Sequence, residues 1–230
     1  MAAAATSIGI VGGLGVGATV HYYEAITAAC KARGVVPDLA IVHADVDHGQ
    51  ALVRAGDLDG LAAYLAGFVD RLRAAGAEAA VLPAVTPHIC LPQLAPRSSL
   101  PLIDIVRPTA EALRRRGRRR VALIGTTFTM TGSLWGLLPE VEIVKPAPDE
   151  IAFVGGVYQT ILDGRLDQAR AGLDGLRRIA TDLQRRAGVE LLLIAGTDFA
   201  VLFDEATAGF PALDMARLHI EAIVERACPG

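Results

Sequence analysis

A chain of 230 residues, 52% of them hydrophobic, is long enough to bury one large core or two smaller ones. Its net charge of −3 gives no reason to expect a nucleic-acid partner, and no apolar run approaches the roughly 18 residues that a membrane span requires. Three cysteines, Cys30, Cys90 and Cys228, have neither metal-ligand spacing nor the even count of a disulfide framework, which fits a reducing, cytoplasmic setting.

Met1–Ala5 carries no basic segment and runs directly into a strand pattern, so it does not read as a secretory leader. Ser7–Val11 is a compact apolar strand and Gly12–Gly17 a glycine-rich turn. Ala18–Arg33 then reads as a helix with Val20, Tyr23, Ile26 and Cys30 on one stripe. Leu39–His43 is a second strand, which makes the opening a βαβ unit. After it His43, Asp45, Asp47 and His48 form a polar cluster, read as loop residues of which one or two face a ligand; the spacing does not support a di-histidine metal site. Helix Leu58–Ala75 places Leu58, Leu61, Leu65, Phe68, Val69 and Leu72 at helical spacing, Gly76 stops it, and Glu78–Leu82 is the third strand.

Pro92, Pro96, Pro101 and Pro108 punctuate the next connection, in which Leu102–Val106 is a short strand. Pro108 suits the first turn of a helix that ends in Arg114–Arg120, six arginines around Gly117. Without interleaved aromatics the run reads as cations at a helix carboxyl end, with Gly117 as a left-handed cap, rather than as a nucleic-acid or lipid patch. Val121–Ile124 is a strand ending in GTTFTM, and Val141–Val144 is another. Glu150–Asp163 and Leu166–Ala187 read as helices, Leu191–Ile194 as the last long strand, and Leu218–Ala227 as a closing helix.

Alternating strands and helices predict an α/β protein with mostly parallel sheets flanked by helices. The chain also repeats itself. The strand and glycine turn at Ile8 are echoed at Val121, and the strand ending in AVT at Val81 is echoed by the strand ending in AGT at Leu191. Two pseudo-symmetric domains are therefore expected, residues 1–103 with 209–230 and residues 104–208, with a ligand in the cleft beyond the carboxyl ends of the strands. A rival reading starts from Gly13-x-Gly15-x-x-Ala18, which loosely satisfies a dinucleotide fingerprint, with Asp45 near the place of a ribose-binding acid. It would make the protein an NAD(P)-dependent oxidoreductase.

The run IGIVGGLGVGATVHYYEAI, the VTPH of Val85–His88, the IGTTFTM of Ile124–Met130, the GTDF of Gly196–Phe199 and the PALDMARLHIEAIV of Pro211–Val224 occur in one particular order. In that order and at about that spacing they resemble the aspartate/glutamate racemase superfamily over nearly the whole chain. The resemblance implies a pseudo-symmetric fold, a substrate held between the halves, and neither metal nor organic cofactor. The expected partners are a small-molecule substrate and a second copy of the chain, with no membrane and no nucleic acid. In the family two thiols, one from each half, exchange a proton on opposite faces of an acidic carbon. They lie in motifs of the type C-N-T-x-H and G-C-T-E, which here read Ala84-Val85-Thr86-Pro87-His88 and Ala195-Gly196-Thr197-Asp198.

Ala84 and Gly196 thus stand where the family has cysteine, and neither a methyl group nor a hydrogen takes up a proton. Around Ala152, where such racemases place a carboxylate-binding lysine, there is no lysine. A free amino dicarboxylic acid is therefore not the expected substrate, because its charges would be desolvated without partners. Asp198 is the candidate general acid or base, its alternative being a helix cap. His88 could move a proton or polarise a carbonyl, its alternative being a structural hydrogen bond. Thr86, Thr126, Thr127 and Thr197 match positions that bind substrate carboxylates in the family, and Gly13, Ala84, Val85, Gly196 and Asp45 are expected to line the site. Cys90 reads as a packed thiol or a relocated nucleophile, Tyr22 and Tyr23 as lining the cleft or an interface, and Trp135 as a pocket wall or ordinary packing. These residues suggest a cofactor-independent isomerase, lyase, decarboxylase or cyclase acting on a relatively apolar carbonyl or carboxylate compound. A catalytically inactive binding protein on the same scaffold is the alternative.

Overall fold

Short apolar strands joined by helices can satisfy their backbone groups only in parallel sheets covered on both faces. Residues 5–228, which the computed structural model describes, contain two such sheets of four strands. Met1–Ala4, most of the stretch weighed as a leader, lie outside the described residues. The first sheet has the order β2-β1-β3-β4, with β1 at Ile8–Gly12, β2 at Leu39–His43, β3 at Ala79–Val81 and β4 at Leu102–Ile103. The second has the order β6-β5-β7-β8, with β5 at Arg120–Gly125, β6 at Glu142–Val144, β7 at Leu191–Ala195 and β8 at Ala212–Asp214. Every strand pair is parallel, and the two sheets repeat one topology, as the internal echo of the sequence predicts.

The chain divides into two compact units, one comprising the residues up to Ile105 and those from His219 onward, the other Val106–Leu218. β8 pairs with β7 through Ile194 and Asp214, so residues that the sequence reading gave to the first half build the edge of the second sheet. A strand of three residues carries too little periodicity to be read in advance.

In the first unit, helix α1 (Val16–Ala32) follows β1, helices α2 (Val46–Ala55) and α3 (Leu58–Ala74) follow β2, and the short α4 (Leu91–Leu94) precedes β4. Leu61, Leu65, Val69 and Leu72 of α3 are buried in one cluster with Val11, Ala80 and Leu82. The helix lies so close to β1 that a Cβ at Gly9 would fall 2.9 Å from that of Leu72. On α1 the buried stripe is Ala18, Tyr22, Ile26 and Cys30, whereas Val20 and Tyr23, expected inside, are 51% and 48% exposed. Both faces of this helix carry apolar residues, and the deciding contact is tertiary: the Tyr22 hydroxyl bonds a buried nitrogen of His219, 197 residues away.

Helix α2 was read as a loop. Asp45 begins it, its carboxylate accepting the amides of Asp47 and His48 at 2.9 and 3.3 Å, and Gly56 ends it in the left-handed region.

In the second unit α5 (Val106–Arg115) leads to β5, α6 (Thr127–Thr131) follows it, and α7 (Pro148–Leu162), α8 (Leu166–Ala171) and α9 (Leu173–Ala187) precede β7. Val106 thus opens a helix instead of closing a strand. The predicted helix over 166–187 breaks at Gly172, where a Cβ would fall 2.6 Å from the Val157 side chain. Four of the run's six arginines pair with acids, Arg114 with Glu140, Arg116 with Glu205, Arg118 with Glu190 and Arg120 with Glu142, around a left-handed Gly117. Helix α10 (Met215–Ala227) closes the described chain. Among the described residues no helix is long and apolar enough to cross a membrane.

Gly9→Ala is expected to lower unfolding free energy by about 1–3 kcal/mol, the usual effect of overpacking a tight contact. Urea denaturation measures it, and an unchanged midpoint would show that α3 can retreat from β1.

Candidate functional site

In each sheet the chain reverses its direction of progress between two central strands, β1 and β3 or β5 and β7, and open α/β sheets bind ligands beyond the carboxyl ends of such a pair. Most of the residues singled out from sequence follow directly on these four strand ends.

After β1, Gly13 has φ of +82°, and a Cβ there would strike the Ala44 carbonyl and the His43 ring, so only glycine fits. Its amide donates to the Thr19 hydroxyl at 3.1 Å, which in turn donates to the Gly15 carbonyl at 2.7 Å. The turn is closed by α1 itself, and an amide that a pyrophosphate would require is engaged within the protein. Asp45 is likewise occupied as the cap of α2, and the Tyr64 hydroxyl meets its backbone amide and carbonyl at 2.8 and 2.9 Å. Both features that suggested a dinucleotide therefore have local structural work.

After β3, Ala84 and Val85 are buried and Thr86 half-buried at the start of a 3-10 turn over Thr86–Cys90. The turn carries His88 inside, at 1% exposure. Nε2 of His88 accepts the Ile105 amide at 3.4 Å, which leaves the proton on Nδ1 to donate to the Ala84 carbonyl at 2.9 Å. Next to it, at 6.3 Å between ring centroids, is His219 of α10. Its Nε2 donates to the Ile103 carbonyl at 2.7 Å and its Nδ1 accepts the Tyr22 hydroxyl at 3.1 Å. Burial holds both imidazoles neutral, lowering the pKa of His88 and taking that of His219 down to about 3. Cys90 is fully buried, donates to the Pro87 carbonyl at 3.2 Å, and has its thiol pushed up to about 12 by burial, which makes it inert as a nucleophile.

After β5, Thr126 caps α6, its hydroxyl oxygen accepting the Thr129 amide at 3.1 Å, while Thr127 is exposed. After β7, Gly196, Thr197 and Asp198 are buried. Tyr158 of α7 reaches this end, its hydroxyl donating to Oδ2 of Asp198 at 2.8 Å and its ring standing edge-on to Phe199 with centroids 5.2 Å apart. The Thr197 hydroxyl bonds the phenol as well, and burial, reinforced by the Asp198 charge, keeps the phenol protonated well above its ordinary range. Nothing in the sequence marked Tyr158, since a tyrosine on an apolar helix stripe reads as core. His219 and Asp214 were not singled out either, although both stand in Pro211–Val224, one of the runs that carry the family resemblance. Asp214 accepts the Ala216 amide at 2.8 Å at the head of α10, and burial raises its pKa to about 6. Trp135 lies half-buried in a turn where Ser133, Leu134 and Trp135 all have φ near +50°, between 48° and 52°.

Two parallel α/β units of one topology, each ending its central strands in small residues and threonines, define a class of internally duplicated two-domain proteins. The chain belongs to the Asp/Glu/Hydantoin racemase family, whose model matches residues 11–223. Among solved structures, a Yersinia pestis protein assigned to the Asp/Glu racemases is 26% identical with a TM-score of 0.79, the match covering 96% of this chain and 99% of that one. An aspartate racemase homologue from Pyrococcus horikoshii is 23% identical with a TM-score of 0.80, at the same coverages of 96% and 99%. Arylmalonate decarboxylase shares the fold at 15% identity and a TM-score of 0.52, covering 97% of this chain and 93% of that one.

The buried titrating groups set opposite pH dependences. His219, protonated near its ordinary 6.5 when unfolded and only near 3 when folded, makes stability fall as pH drops through that window. Asp214, with a folded pKa of about 6 against an ordinary 3.8, makes stability rise as pH falls between those values. Asp214→Asn removes the second effect, so between pH 6 and pH 4 the variant is expected to lose stability more steeply than wild type, by about 1 kcal/mol per pH unit. Chemical denaturation across this range reads the difference, and parallel curves would contradict the assignment.

Proposed function

We propose that this chain is a cofactor-independent enzyme on the racemase scaffold that works without thiols, of isomerase, lyase, decarboxylase or cyclase type, on a relatively apolar carbonyl or carboxylate compound. The observation that carries the reading is the pair Ala84 and Gly196 at the positions matching the family's two cysteines. Cys90, close by in sequence, offers no substitute, being buried and held as a neutral thiol. The substrate is held by groups from the strand ends, as the family resemblance implies. Threonine hydroxyls stabilise an enolate-like charge there, and Asp198 moves the proton. His88 keeps a supporting part in this reading, because both its nitrogens are bonded to backbone groups that shape the β3 end. A decarboxylase on the same fold supports lyase chemistry, in which loss of CO2 leaves its electron pair as an enediolate that then takes a proton at carbon.

A binding protein without turnover is the second reading. It is favoured by the burial of Asp198 and His88, 2% and 1% exposed and each already hydrogen-bonded. The protein is further proposed to work as a cytoplasmic homodimer. The exposed Val16, Val20 and Tyr23, spaced along one side of α1, support self-association.

Incubation with phenylmalonate, alkylmalonates and related carbonyl acids in D2O, followed by NMR, is expected to show CO2 loss or deuterium entry at carbon. Asp198→Asn is expected to reduce that turnover by roughly 100-fold or more, the ordinary worth of a general acid or base, without unfolding the protein. Thermal stabilisation by a compound that never reacts would favour the binding reading instead. Aspartate and glutamate are expected to keep their configuration on chiral chromatography; racemisation at rates typical of a thiol racemase would overturn the weight placed on Ala84 and Gly196.

A further inference from the structure

The space that a side chain at position 196 would need is already filled. A Cβ built on Gly196 would lie 2.6 Å from Cε2 of Tyr158, 3.0 Å from the Gly125 Cα and 3.0 Å from Cδ2 of Phe199, closer than carbon atoms pack. Nor is the ring free to swing aside. It is wedged edge-on against Phe199, its hydroxyl donates to Asp198 at 2.8 Å, and Thr197 bonds the same phenol. Replacing glycine by cysteine here would therefore not restore the family's second thiol, because its β-carbon has no room.

We infer that Tyr158 is the specificity-determining residue of the β7 end: its ring takes the volume of any side chain at 196, and its hydroxyl joins Thr197 and Asp198 into one hydrogen-bonded unit. Tyr158 acts as a positioning residue, fixing the Asp198 carboxylate by a directed bond. The inference rests on the non-thiol reading and deepens it. A reacting carbon brought to this strand end meets no base at position 196 and takes its proton from Asp198 alone, so the substrates that fit are those whose reaction needs a proton from one face only. An acidic carbon that loses CO2 and is then protonated is one such class. Proton exchange across both faces is not.

A set of double substitutions tests the packing. Gly196→Ala is expected to lower Tm by about 5 °C both in wild type and in Tyr158→Phe, which keeps the ring. In Tyr158→Leu, which lacks the Cε atoms, the same change is expected to lower Tm by less than about 1 °C. Should Tyr158→Leu fail to fold, Tyr158→Met gives the same test with a more adaptable side chain. Equal losses in all backgrounds would mean that Gly125 or Phe199 closes the space, and the inference would fall. The positioning role is read by proton NMR. A slowly exchanging, downfield hydroxyl resonance is expected in wild type, absent in Tyr158→Phe and moved upfield in Asp198→Asn; a resonance indifferent to Asp198→Asn would refute the hydrogen-bonded unit. Both measurements are made without substrate, so an inactive protein would count against the proposed reaction while these results stood or fell separately.

Discussion

Where two parallel strands of one sheet lead to connections that depart in opposite directions, their ends leave a gap that backbone alone cannot fill. The first unit builds this gap between β1 and β3 and the second between β5 and β7. What occupies it decides the chemistry, and here the choice of side chains is dominated by shortage of room. Gly13 is required by the Ala44 carbonyl, Gly125 by the Ala195 carbonyl 2.8 Å from where its Cβ would be, and Gly196 by the Tyr158 ring. Close packing at these ends, of backbone and of the Tyr158 ring, is the constraint within which the neighbouring hydroxyls and carboxylates are placed.

Given that crowding, the polar groups behind the strand ends are buried and must be satisfied internally. His88 and His219 each place one nitrogen against a backbone carbonyl and the other against a donor, which fixes their tautomers and keeps them neutral. Tyr158 stays protonated and donates to Asp198. The first unit thereby holds neutral imidazoles behind β3, and the second holds a protonated phenol beside the Asp198 carboxylate.

Much of this was legible in advance, and the reasons differ by residue. β1, β3, β5 and β7 are short, apolar and followed by small residues, so period and punctuation identified them. The arginine run was readable because a helix carboxyl end, a left-handed glycine and a following strand form a local grammar. Helix α2 was missed although Asp45 and Gly56 carry ordinary cap signals, since its polar first turn suggested a loop. The stripe of α1 was misjudged because apolar residues on two faces make the local pattern ambiguous, and only the partner of Tyr22 resolves it.

The sequence by itself determined the duplicated α/β plan and the small residues Ala84 and Gly196 that follow two of its strands, because repetition and residue identity are facts that no folding can alter. Tertiary structure alone decided that a side chain at position 196 has no room, since the ring filling the space comes from α7, with Tyr158 and Asp198 40 residues apart in the chain. It also decided that His88 is tied to backbone on both sides, through an amide 17 residues away. Such contacts follow from packing between distant elements, and packing is the one property that local propensity and periodicity do not encode.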